Sequence, residues 1–211
     1  DDFNKIGLEL KESMEKQTVF DSFSSQIIAL EVLVIKKFEE DIVNTIDNRD
    51  KSGRTKIMIA ISATNIEMFN YMLGFNPNLK LIDSAGKTIL HYAALSGNLE
   101  IVQKVLEANS SLLNKVDSKK RTALFLAVTD GNDEVVAHIL KAGPQPRMLA
   151  ENGVSCCMIA SRNGNVEMLK SLVASGEILS TVDFKHKGCM AYARQKKHKE
   201  VMLYLKEQGI S

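Results

Sequence analysis

Asp83 to Leu106 reads DSAGKTILHYAALSGNLEIVQKVL, and versions of this stretch recur along most of the chain every 33 or 34 residues. An alanine marks the period: Ala60, Ala93, Ala127, Ala160 and Ala193 stand 33, 34, 33 and 33 residues apart. A period in this range means one supersecondary unit stacked on copies of itself, each too small to bury its apolar face alone. Function is then to be sought on the surface of a stack rather than in a single catalytic cleft.

The unit reads as two helices. Asp83, Gly86 and Thr88 supply turn chemistry: Asp bonds local backbone, Gly accepts positive φ, and Thr caps a helix starting at about Ile89. Leu90, Tyr92, Ala93 and Ala94 follow, the alanines being small enough for close helix approach. Gly97 stops this helix in the left-handed conformation and Asn98 opens a second. There Leu99, Ile101, Val102, Val105 and Leu106 recur on one helical face.

Thr88-Ile89-Leu90-His91-Tyr92-Ala93-Ala94 and Gly97-Asn98-Leu99-Glu100-Ile101-Val102 resemble the T-P-L-H-x-A-A and G-H-L-E-I-V signatures of the ankyrin repeat family. Further copies run over 50–73, 117–140, 150–173 and 183–206, and Glu67, Glu100, Glu134, Glu167 and Glu200 share one position, where a carboxylate suits the helix macrodipole. The resemblance implies an all-α solenoid of stacked antiparallel helix pairs joined by hairpin loops. Lys56, Ile89, Ala123, Cys156 and Cys189 replace the family Pro, which only preorganises the turn. Lys120 and His186 stand where Gly86 and Gly153 stand elsewhere, and Thr64 and Lys197 replace Gly97, Gly131 and Gly164. These replacements put the local loop geometry there in question.

Residues 1–49 read as a degenerate first helix pair capping an array over 50–211, with repeats starting near 50, 83, 117, 150 and 183. Phe3, Ile6, Leu10 and Met14 fall on one helical face, and Ser24 and Ser25 are placed to cap a helix from Gln26 to about Glu39. The run Ile42 to Asp47 echoes Leu112 to Asp117, which makes Asn48 to Asp50 a lengthened loop. The apolar run Ile27 to Ile35 is too short for a membrane span.

Composition fits this reading. The 211 residues are 45% hydrophobic with a net charge of +1, which argues against disorder. No signal peptide or targeting segment is visible, so the expected location is the cytosol, or a host cytosol if the chain is a secreted bacterial effector. The absence of an initial Met suggests a fragment of something longer.

Chemistry-bearing residues point away from catalysis. Cys156, Cys157 and Cys189 are odd in number and read as reduced thiols in core or turn positions. Asp183, His186 and Cys189 stand at intervals of three, but the repeat register makes them structural. Helices pack about 8 to 10 Å apart, so Cys156 and Cys189, one step apart, lie beyond disulfide or shared zinc reach. His91 occupies the family position whose ring bonds the neighbouring hairpin, while His138 and His198 read as solvated. No phosphate loop, nucleophile with a paired base, cofactor motif or metal-ligand spacing is present, so no enzyme activity, cofactor or metal is expected.

Recognition remains. In the resembling family, hairpin tips and the exposed side of the first helix line a concave groove that binds partner proteins. Mapped onto this chain, that implies a partner-binding set of Lys51, Arg54, Lys87, Lys119, Arg121, Arg162, Phe184, Lys185, Lys187 and Lys196. Residues 1–50 carry 12 acidic and 6 basic residues, net −6, and residues 51–211 carry 14 and 21, net +7. Such a distribution steers an acidic partner. The expectation is a monomeric protein-binding module that takes an acidic segment in a basic groove. Two other readings stand beside it: a targeting or regulatory segment of a larger enzyme, channel or effector, and a binder of nucleic acid or anionic lipid. Phe184 is the one aromatic residue clearly near the tips, which disfavours base stacking.

Overall fold

A computed structural model describes residues 36, 37 and 39–210. The chain divides between Thr45 and Ile46 into two units. The expected helix on Phe3 to Met14 and the caps at Ser24 and Ser25 lie outside the described residues. Of the expected helix from Gln26, the described part does not end at Glu39: residues 39–45 are helical. No Gly or Pro interrupts the stretch from Lys36 to Thr45, so nothing local stops the helix there. Nor is there a lengthened loop at Asn48 to Asp50. Asp47 accepts from the Asn78 amide, as Asn114 does from the Gln145 amide, each bond spanning 31 residues. Asp47 is therefore the counterpart of Asn114, not of Asp117.

In the second unit five antiparallel helix pairs follow one another: α1 (Lys56–Ser62) with α2 (Ile66–Leu73), α3 (Ile89–Ser96) with α4 (Leu99–Ala108), and α5 (Ala123–Asp130) with α6 (Asp133–Lys141). The last two are α7 (Cys156–Asn163) with α8 (Val166–Ala174), and α9 (Cys189–Lys196) with α10 (Lys199–Glu207). Strand character among the described residues is confined to isolated bridges, as at Ile82 with Thr88 and Val182 with Gly188. The architecture is the all-α helical repeat expected from the period.

Helices this short are marginal alone and need caps and packing. Asn65, Asn98, Asn132 and Asn165 cap α2, α4, α6 and α8 by accepting from the amides of Met68, Ile101, Val135 and Met168. Thr122 and Ser155 cap α5 and α7 in the same way. First helices pack on the next first helix and on their own partner, so the period alanines face other helices all round. Ala93, Ala127, Ala160 and Ala193 are fully buried.

The loop geometry questioned from the sequence is kept. Thr64, Lys120, His186 and Lys197 hold φ of 53°, 56°, 57° and 60°, beside 65° at Gly97 and 73° at Gly86. The left-handed turn is imposed by its surroundings: Thr64 and Lys197 lie between two packed helices, and Lys120 and His186 lie between tip amides held by Asp117 and Asp183. The L side chains carry about 1 to 2 kcal/mol of strain each.

Candidate functional site

Every hairpin but the fourth is built around an aspartate. Asp83 Oδ1 accepts from the amides of Ala85 and Lys87, Asp117 Oδ1 from Lys119 and Arg121, and Asp183 Oδ1 from Lys185 and Lys187. Successive tips then hydrogen-bond to one another. Ser84 N donates to Ser52 O at 3.0 Å, Ser118 N to Ala85 O at 2.9 Å, Glu151 N to Lys119 O at 2.9 Å and Phe184 N to Asn152 O at 3.1 Å. This ladder puts equivalent tip residues in one line along the stack.

The second carboxylate oxygen of each aspartate decides which tip cations are free. Where the first helix offers a tyrosine, its hydroxyl donates: Tyr92 to Asp83 at 2.6 Å and Tyr192 to Asp183 at 2.9 Å. Where Ile59 or Leu126 stands at that register position, an arginine fills in. Arg54 Nε and Nη2 reach Asp50 Oδ2 at 2.9 and 2.8 Å, and Arg121 Nε and Nη2 reach Asp117 Oδ2 at 2.8 and 2.6 Å. In the fourth hairpin Ala150 and Val154 replace both members of the pair.

The ionisation follows. The Asp50 carboxyl is held below its ordinary value by the Arg54 amide and guanidinium. Burial works to raise that of Asp117, and the Arg121 hydrogen bonds outweigh it. Burial and the bond to Asp183 push the Tyr192 hydroxyl up to about 12.

Arg54 and Arg121, expected as open partner contacts, are thus engaged with their own hairpins. Lys51, Lys119, Lys185 and Lys187 are exposed at the tips and make no ion pair among the described residues. Lys87 is half-buried, with Nζ 5.6 Å from the centre of the Tyr92 ring. Phe184 is 75% exposed and lies across Gly153, where a Cβ would come within 2.7 Å of its ring. Arg162 and Lys196 stand in the last turns of α7 and α9, away from the tips. The exposed acid Asp130, at the register of Ser96, Asn163 and Lys196, is absent from the mapped set and interrupts its positive charge. Tyrosine nine residues beyond the hairpin Asp, or arginine four beyond it, was the sequence signal separating free from engaged cations.

His91 joins two repeats as expected. The Thr88 amide donates to Nδ1 at 3.0 Å, leaving Nε2–H to donate to the Arg121 carbonyl at 2.9 Å. Burial holds the ring below its ordinary pKa, against the pull of the Arg121 carbonyl. His198 corrects the sequence reading. Its Nε2 lies 2.8 Å from the Arg162 carbonyl, so it links α10 to the preceding repeat rather than standing in solvent. It occupies the register of Asn132, whose side-chain amide donates to the Gly97 carbonyl in the pair before. Cys156, Cys157 and Cys189 are free and buried, and burial raises all three thiols, Cys189 to about 11. No described helix is long and apolar enough to cross a membrane.

Comparison with known proteins agrees with this geometry. A family model described as ankyrin repeats (3 copies) matches residues 28–117, 57–148 and 124–211. Palmitoyltransferase ZDHHC13 of Mus musculus is 40% identical over 65 residues, 30% of this chain and 10% of that protein. Caskin-2 of Homo sapiens is 31% identical over 74 residues, 35% of this chain and 6% of its own length. The match therefore covers a small part of each relative.

Proposed function

The chain belongs to the ankyrin repeat family, and from that premise we propose that it is a non-catalytic module that binds a partner protein, with an acidic segment of the partner lying along the hairpin tips. The supporting observation is that Lys51, Lys119, Lys185 and Lys187 are exposed and in no ion pair among the described residues, on a ladder that holds the tips in register and carries one exposed acid, Glu151. Arg54 and Arg121 act here as internal counter-charges, and Lys87, Arg162, Phe184 and Lys196 flank the contact. A cytosolic, monomeric module fits this role, whether it acts alone or as the recognition segment of a longer protein.

The test is affinity capture with the chain as bait, comparing wild type with Lys51→Glu/Lys119→Glu/Lys185→Glu. Expected is a protein captured by wild type, released as salt rises from about 0.05 to 0.5 M, and lost by the tip variant. The control is Lys104→Glu/Lys141→Glu/Lys170→Glu on the second helices, where Lys104 and Lys170 already pair with Glu100 and Glu167. Equal capture by both variants overturns the tip assignment.

A further inference from the structure

Ile82, Val116, Leu149 and Val182 stand at one register position, immediately before the hairpin Asp or its replacement Ala150. They are 45%, 41%, 38% and 48% exposed. A single exposed aliphatic side chain is ordinary, but four at equivalent positions of successive repeats form a row, and exposed apolar side chains grouped in this way and rimmed by polar ones mark an interaction site. Exposed Arg49 holds the same position in the first repeat and ends the row with a cation. Between the second and third hairpins the row opens into a cleft of about 620 Å³, lined by Ile82 and Val116 with Lys80 and Lys115 beside them. Arg147 precedes Leu149 by two residues, as Lys80 precedes Ile82. Lys80, Lys115 and Arg147 are exposed and in no ion pair among the described residues. Asp117, the acid lining the cleft, is committed to Arg121 and to its hairpin amides.

The step of the row selects the occupant. Successive repeats stack through their first helices, and packed helices lie about 8 to 10 Å apart; the tips are hydrogen-bonded from one repeat to the next, so the row steps by about the same figure. A polyproline II segment advances about 9.3 Å per turn of three residues. We infer that the row is a second docking surface, taking an extended segment of a partner protein with aliphatic side chains at every third residue and acidic residues between them. It uses different residues from the tip cations and stands or falls apart from them. The aliphatic side chains meet Ile82, Val116, Leu149 and Val182 in turn, and the acids meet Lys80, Lys115, Arg147 and Arg49.

The probe is a fluorescent, N-acetylated peptide of four Leu-Pro-Glu units, titrated with the full chain and followed by anisotropy. Saturable binding is expected, weakened about tenfold or more by Ile82→Thr/Val116→Thr/Leu149→Ser/Val182→Thr and by a peptide of the same composition with leucine at every second residue. The tip variant Lys51→Glu/Lys119→Glu/Lys185→Glu is expected to keep it. Thermal melting checks that the quadruple variant folds, and the two double variants Ile82→Thr/Val116→Thr and Leu149→Ser/Val182→Thr, each weaker than wild type, serve if it does not. Absence of binding, or binding indifferent to leucine spacing and to the row variants, overturns the inference. So does a wild-type dimer that the row variants dissociate, which assigns the row to a second copy. A Val116→Cys thiol that resists maleimide in the lone chain also overturns it, by showing the row already covered.

Discussion

The repeat from Asp83 to Ala108 and the repeat from Asp183 to Glu207 share a backbone but hold it by different means. The first turns on Gly86 and Gly97 and places His91 between Thr88 and the Arg121 carbonyl of the next repeat. The second turns on His186 and Lys197 at φ 57° and 60°, has Gly188 in place of Thr88, and has Ala191 in place of His91. Its link runs backwards, from His198 to Arg162. A central repeat is tied forward and backward. The last repeat, with no described repeat beyond it, puts its one histidine bond into the neighbour it has. What the two have in common is the carboxylate that organises the hairpin and the tyrosine hydroxyl on it.

The largest effect expected from this contrast is at His91. His91→Ala leaves the Arg121 carbonyl and the Thr88 amide without their partner in a buried site, and should cost about 3 kcal/mol by denaturant melting. Its pH signature has a definite sign. A histidine whose folded pKa lies below the unfolded value, about 6.5, stabilises fully above that value. The contribution falls as pH drops through it toward the folded pKa, because the unfolded chain takes the proton first. Wild-type stability should therefore decline from pH 7 to pH 5 more than that of His91→Ala.

Next is the hairpin pair. Asp117→Ala should cost about 2 kcal/mol, since it strips Arg121 and two amides of their acceptor. Asp117→Ala/Arg121→Val, which copies Ala150 and Val154, should cost less than the single change, because no cation is stranded. The Asp117 carboxyl is lower in the folded state, so its contribution is present above about pH 3.9 and is lost as pH falls below that toward the folded pKa. Acid melts of wild type and the double variant should converge there.

The smallest effect sharpens the comparison of turns. Lys197→Gly, His186→Gly and Thr64→Gly should each stabilise by about 0.5 to 1 kcal/mol, the strain relieved exceeding the added entropy of the unfolded chain. Gly164→Ala should do the opposite, because its Cβ would lie 2.5 Å from His198 Nδ1 at φ 80°. If the glycine variants melt lower than wild type, their side chains hold the turns through contacts rather than being held in them.

The His91 link was legible only through the family resemblance, whereas the period, the helix pairs, the asparagine caps and the buried alanines were legible in the residues alone. Each rests on bonds a few residues long or on an apolar face repeating at helical spacing, and such signals survive without knowledge of the neighbours. The register near Asp47 was misread, because the echo of Leu112 to Asp117 matched apolar letters rather than the side chain that bonds the next loop. His198 was misread for a similar reason, since its partner lies 36 residues away.

Charge marks the same boundary more sharply. Sequence determined that cations recur near the hairpin tips, and it determined the aliphatic letter before each of the last four hairpins. Only the tertiary structure decided that Arg54 and Arg121 neutralise their own aspartates while Lys51, Lys119, Lys185 and Lys187 stay open. It alone decided that Ile82, Val116, Leu149 and Val182 share one exposed row. The physical reason is that repeat spacing fixes which residues are equivalent, whereas exposure and pairing depend on what the neighbouring repeat places within hydrogen-bond reach.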